Sequence, residues 1–95
     1  MSYGIVNYFK GGTAAQYDAT VAKVHPADNG LPPGQTHRVA GTTDGGFVVC
    51  AVWESKAAWE KFRDGTLFPA FADLGDKGLP GPPDMWEFET HDEAK

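Results

Sequence analysis

Few residues in this sequence could do chemistry, and one of them stands out by its setting. Asn7 interrupts an otherwise apolar run, between Val6 and Tyr8 and two residues from Ile5 and Phe9. A buried carboxamide costs stability unless it is hydrogen-bonded. It therefore lies at an exposed edge, ties down nearby backbone, or offers its amide to an oxygen atom of a bound compound. His37 and Arg38 begin a later extended run. Successive strand residues point to opposite faces, so only one of these two can share a face with a given site. An imidazole titrating near neutrality could act as a base toward a phenol-type compound; the plainer reading of His37 is a surface histidine at a strand end. Asn7, with His37 or Arg38, is the candidate catalytic set, stabilising an enolate or phenolate while oxygen reacts.

The remaining chemistry-bearing residues point elsewhere. His25 precedes a proline and His91 sits in the tail. With Cys50 mid-strand, the histidines have no metal-ligand spacing, and a zinc or non-haem iron site needs three or four convergent ligands. Cys50 lies among valines, where a thiol is inert packing rather than a nucleophile. Gly11-Gly12 lacks the lysine and spacing of a phosphate-binding loop. The aromatic residues Trp53, Trp59, Phe62, Phe71, Trp86 and Phe88 recur at strand and helix spacing, which reads as core. Some of them can instead line a cavity for a flat aromatic ligand. Phe9, Trp53, Trp59, Phe62 and Trp86 are the candidates for that role.

Positioning these residues requires six elements. Residues 3–10 form a strand stopped by Gly11-Gly12. Thr13-Ala-Ala-Gln16 has the form of a capping box, and Tyr17, Val21 and Val24 follow at helical spacing, which predicts a helix over 13–24 ended by Pro26. Residues 25–35 are a proline- and glycine-rich loop. Strands over 36–41 and 47–54 flank Asp44-Gly45-Gly46, a hairpin signal. Ser55 is a good N-cap for a second helix over 55–74, which Gly65 and Pro69 should kink or split. After a loop over 75–83, a last strand over 84–90 places Trp86 and Phe88 on one face and Glu87 and Glu89 on the other. The order βαββαβ is the ferredoxin-like α+β arrangement, an antiparallel sheet with both helices on one face.

Ninety-five residues fit one domain, 1–95. A net charge of −5, with no cluster of basic residues, argues against nucleic-acid and anionic-membrane partners. A lone cysteine cannot close an internal disulfide. The N-terminus lacks the pattern of a secretory leader, and no segment approaches the ~20 apolar residues of a membrane span. The expected location is the cytoplasm. Residues 47–53 are all apolar, so both faces of that strand must be covered, and two helices can cover only one. A second copy packed sheet to sheet covers the other, and a homodimer is expected.

The run Val52-Trp53-Glu54-Ser55-Lys56-Ala57-Ala58-Trp59 joins the third strand to the second helix. It resembles the VW-x-S-x-x-A junction of the dimeric α+β barrel superfamily, and within it the antibiotic biosynthesis monooxygenase (ABM) group. The resemblance covers the whole chain in element order and is specific in residues around 52–59, with Asn7 as weaker support. It implies a homodimer with sheets face to face and one cavity per subunit between sheet and helices. It also implies either a cofactor-independent oxygenase acting on a small aromatic or polyketide-like compound, or a non-catalytic dimer that binds a small apolar ligand. The haem-degrading branch of the group carries an asparagine on its first strand, matched by Asn7, and a tryptophan and a haem-ligating histidine on its second helix. Residues 55–74 contain no histidine, and Trp59 sits nearer the helix start than that branch's tryptophan. Without an axial ligand the iron site is not made, so neither haem nor another cofactor is expected.

Overall fold

The computed structural model describes residues 2–24, 31–80 and 83–92. Strand β1, Tyr3–Lys10, buries Tyr3, Ile5, Asn7 and Phe9 on one face. Helix α1, Ala14–Val24, starts at the capping box. Thr13 N–H donates to Gln16 Oε1 at 3.0 Å and Gln16 N–H to Thr13 Oγ1 at 3.2 Å, which satisfies two helix-start amides reciprocally. His25 and the first half of the following loop lie outside the described residues.

Strands β2, Gln35–Thr43, and β3, Gly46–Trp53, pair up to the turn at Asp44-Gly45. Strand β2 is thus longer at both ends than the sequence pattern predicts. Gly46 is required by close approach: a Cβ there would collide with the Phe9 carbonyl oxygen across the sheet. Ser55 caps helix α2, Lys56–Phe62, by accepting the Ala58 N–H at 3.1 Å.

The expected interruption near Pro69 takes a definite form. Helix α2 runs into a π-helical turn, Arg63–Leu67, and then into helix α3, Phe68–Leu74. Phe68 N–H donates to Arg63 O, five residues back. Proline has no N–H to continue the i→i−4 ladder, and the widened turn just before Pro69 keeps the chain helical despite that loss. A 3₁₀ turn, Gly75–Lys77, leads toward strand β4, Asp84–Glu89.

The four strands form one antiparallel sheet in the order β2-β3-β1-β4. Residues directly opposite on antiparallel strands share a face. One face therefore carries Ile5, Asn7, Val49, Ala51, Trp53, Arg38 and Met85, under the helices. The other carries Val6, Val48, Cys50, Val52, His37, Val39, Trp86 and Phe88. The alternation expected for the last strand holds, but its aromatic side turns away from the helices. Trp86 is 57% exposed and Val39 68%. Cys50 is half-buried on this outer face rather than enclosed in the core. Among the described residues no helix is long and apolar enough to cross a membrane.

Candidate functional site

Buried side chains between sheet and helices form two clusters. Tyr3, Ile5, Trp53, Trp59 and Leu67 make one; Phe9, Phe47 and Leu79 make the other. Asn7 stands between them on β1, 7% exposed. A carboxamide cannot join either cluster as an apolar side chain would, and a cavity with about 60 Å³ of free volume remains there. Phe71 packs against both clusters and meets Phe9 edge-on at 6.0 Å between ring centroids.

The wall is apolar with a few convergent polar groups, the usual make-up of a small-molecule site. Asn7 Oδ1, Gln35 Oε1, Trp53 Nε1 and Trp59 Nε1 are all buried and find no hydrogen-bond partner in the protein. All four residues line this cavity. Each such atom costs about 1–3 kcal/mol against a satisfied one, so their gathering in one place asks for an occupant. The rings of Trp53 and Trp59 lie 5.8 Å apart, and Trp53 packs at 4.9 Å against Phe62 with the ring planes inclined at 39°.

Arg38 is half-buried in the same wall. Tyr17, from α1, packs 5.0 Å from Phe47. Burial raises the Tyr17 phenol above its ordinary pKa; the Arg38 charge opposes this and Asp18 adds to it. No aspartate, glutamate or histidine occurs among the described residues that line the cavity.

Two local features aim these side chains. Gly34 has φ of 89°, and a Cβ there would press on Ala58 at 2.9 Å; its carbonyl accepts the Glu54 N–H at 2.8 Å, which holds the start of β2 beside the end of β3. A bulge between Gln35 and His37 then shifts the register by one residue. Because of that extra residue, Gln35 and Arg38 share a face although they are three apart.

Of the residues singled out in the sequence, Asn7, Arg38, Phe9, Trp53, Trp59 and Phe62 meet in this cavity. His37 and Trp86 do not. His37 is exposed on the outer face opposite Val52, with its Nδ1 3.0 Å from Thr36 Oγ1. The β1–β4 register places Trp86 opposite Val6, on the face away from the helices. His91 is exposed near the end of the described chain. Gln35, Tyr17, Thr20 and Phe71 join the wall without having been anticipated as ligand contacts. Tyr17 was legible only as part of a helical apolar stripe, and Gln35 was assigned to the loop. Among the described residues no three His, Cys, Asp or Glu side chains are grouped to hold a metal ion. The described residues of the cavity wall also offer no imidazole to a haem iron, so they do not fit that group.

The cavity is small: pockets that enclose drug-sized ligands run to roughly 300–1,000 Å³. Phe62 also lines a surface hollow with Lys61 and Thr66, and Phe71 and Leu79 line another with Gln16 and Asp76. Phe62 and Phe71 therefore stand between the cavity and these two surface hollows.

No protein-family profile matches the sequence, and no curated protein is detectably similar to it. Solved structures are. Rv0793 from Mycobacterium tuberculosis superposes with a TM-score of 0.72 at 17% identity, over 100% of both chains. SnoaB, a cofactor-independent oxygenase from Streptomyces nogalater, gives 0.57 at 16% identity, over 97% of this chain and 94% of its own. ActVA-Orf6, a monooxygenase of Streptomyces coelicolor solved with the ligand nanaomycin D, gives 0.54 at 21%, over 99% and 90%. The chain has the ferredoxin-like α+β fold that these proteins share.

Proposed function

We propose that this chain is a homodimeric, cofactor-independent monooxygenase that acts in the cytoplasm on a small aromatic or polyketide-like compound. The observation that carries the reading is that four residues lining one apolar cavity each hold a buried polar atom without a partner in the protein. Its fold neighbours SnoaB and ActVA-Orf6, an oxygenase and a monooxygenase, support the reaction class.

The chemistry needs a substrate with an activated CH₂ beside aromatic rings. Loss of a proton gives a delocalised phenolate-type anion. The anion passes one electron to dioxygen, and the two radicals couple at carbon. Protonation gives a hydroperoxide, and loss of water leaves a ketone. One oxygen atom enters the compound and the other leaves as water; the two C–H bonds supply all four electrons. The Arg38 charge and the two indole N–H groups would hold the anion's oxygen atom in a site that excludes water, and Asn7 Oδ1 would accept from a hydroxyl of the same compound.

Supplied with an anthrone in the presence of a metal chelator, the protein is expected to consume one dioxygen per ketone formed. No consumption above the uncatalysed rate, or loss of activity on chelation, overturns the reading. Saturable binding without oxygen uptake would instead support the second one, a dimer that only sequesters a small ligand, which the small cavity favours.

The dimer is expected through the outer sheet face, where Val39, Trp86 and Phe88 are exposed beside Val6, Val48, Cys50 and Val52. An apolar patch of this kind is an interaction site. At micromolar concentration the protein should sediment at twice its 10.2 kDa chain mass, and Trp86→Asp should shift it toward the monomer. A wild-type species at the chain mass refutes the assembly.

A further inference from the structure

We infer that helix α1 is a lid: ligands enter and leave the cavity through the seam between α1 and the segment formed by α3 and the 3₁₀ turn, which opens as α1 swings outward about Gly12-Thr13. The inference rests on the cavity being a ligand site, as proposed above; it does not depend on what the ligand is or on whether oxygen reacts there.

Three observations carry it. The first is that α1 roofs the cavity without being anchored in the core. Tyr17, Thr20 and Val21 line the cavity from above the sheet, across from Asn7 and Val49. Neither cluster of buried apolar residues includes a residue of α1, and Tyr17 reaches the second only as a half-buried neighbour of Phe47. The rest of the helical layer differs: α2 buries Trp59, the π-helical turn Leu67 and α3 Ala70. Among the described side chains of α1 the buried one is Thr20, which is polar. Free energies of local opening follow buried apolar contact, so within the helical layer α1 opens most readily.

The second is the nature of the seam. Helix α1 stands closest to α3 and the 3₁₀ turn rather than to a strand. Two polar contacts close that side: Thr20 Oγ1 accepts the Leu79 N–H at 3.2 Å, and Lys23 pairs with Asp73. Gly78 permits the first, since a Cβ there would lie 3.1 Å from Leu74 and 3.2 Å from Thr20 Oγ1. In the second both side chains are exposed, and a pair of that kind holds weakly. Polar contacts can be exchanged for water and remade at a small net change in free energy. A surface hollow already lies along the seam, bounded by Gln16 of α1 and Asp76 of the 3₁₀ turn, and Phe71 and Leu79 belong to both the hollow and the cavity. Movement of α1 away from these two residues joins the spaces.

The third is the pivot. Gly11 has φ of 77°, and its N–H donates to Gly45 O at 2.7 Å; Gly12 N–H donates to Phe9 O at 2.9 Å. These bonds fix the base of the helix to the β2–β3 turn and the end of β1. Just beyond them, Thr13 and Gln16 bond to each other rather than to the sheet. The helix therefore keeps its cap as it moves and swings as one body.

The test locks the seam. In a Cys50→Ser background, Lys23→Cys and Asp73→Cys are joined across it by a short bis-maleimide; the same two cysteines capped singly with N-ethylmaleimide are the control. The probe is 1-naphthol, followed by its quenching of tryptophan fluorescence. Locking should slow both association and release by about tenfold or more against the control, as expected when a lid gates access. Thr20→Val keeps the shape of the side chain and removes the acceptor, which leaves the Leu79 N–H without a partner in the closed state; both rates should rise about five- to tenfold. Hydrogen exchange read by mass spectrometry on the unmodified protein should show α1 amides exchanging about tenfold faster than those of α2, and saturating 1-naphthol should slow them toward the α2 rate. Entry at the control rate in the locked protein, or unchanged rates in Thr20→Val, overturns the inference and leaves the ligand site standing; the path then runs past Phe62 to the hollow it shares with Lys61 and Thr66. Exchange of α1 as slow as that of α2 overturns it as well. Absence of saturable binding in the control overturns both the inference and the reading beneath it.

Discussion

Trp53→Ala is expected to lower the free energy of unfolding by about 3–5 kcal/mol, the usual cost of emptying a fully buried aromatic site. The side chain is 0% exposed at the end of β3. It packs against Trp59 and Phe62, and its backbone pairs with Tyr3 on one side and Gln35 on the other. Four elements thus meet at one indole. For a small domain whose whole stability is roughly 5–15 kcal/mol, a loss of this size leaves a measurable unfolded fraction. Trp53→Phe separates packing from chemistry. The ring stays, so the stability cost should drop to about 1–3 kcal/mol, whereas the N–H donor is lost completely and binding of an aromatic acceptor should weaken. Urea unfolding of the three proteins provides the check. A cost below about 1 kcal/mol for Trp53→Ala would mean that this indole does not anchor the cluster it forms with Tyr3, Ile5, Trp59 and Leu67.

What could be read from the residues, and what could not, divides along the range of the interactions. The capping box at Thr13 and Gln16 and the N-cap at Ser55 are local, and both form as expected. The two-sided apolar character of β3 was equally plain, since alternation fixes which residues share a face. Alternation does not say which face the helices cover. That is why Trp86, on the aromatic side of β4, was a reasonable cavity candidate, and why it lies on the outer face once β4 pairs with β1. Arg38 and His37 posed the same choice. It was settled by the bulge at the start of β2, which sends Gln35 and Arg38 to the cavity together. A bulge is a compromise between two strands, and no residue pattern within β2 announces it. The π-helical turn was foreshadowed by Pro69, but its geometry depends on the chain remaining packed over the sheet. Asn7 was conspicuous because it breaks an apolar run. Its partners in the cavity come from β2, β3 and α2, tens of residues away, and only the register of the sheet brings them together.

Asn7→Leu should raise stability and weaken binding at once, and this opposition of signs is its value as a test. Leucine is close to asparagine in size, so the cavity wall keeps its shape while the unpartnered Oδ1 disappears. Removing a buried acceptor with no donor should stabilise the fold by about 1–3 kcal/mol. In a domain of this size each kcal/mol moves the melting temperature by roughly 4–8 °C, so the rise should be visible in a simple thermal melt. The new side chain would also bridge Ile5 and Phe9 on the same face of β1 and begin to join the two core clusters. A ligand that donates a hydroxyl to the amide, by contrast, loses its partner and should bind about 1–3 kcal/mol more weakly. Oxygen uptake should fall with it if the amide orients the reacting anion. The competing account is that the carboxamide is structural and holds nearby backbone. It predicts the reverse on the first measurement, a lower melting temperature, and no change on the second. A stable variant that binds the aromatic probe as tightly as the wild type would remove Asn7 from the site even though it lines the cavity. A destabilised variant with unchanged affinity would assign it to the fold alone.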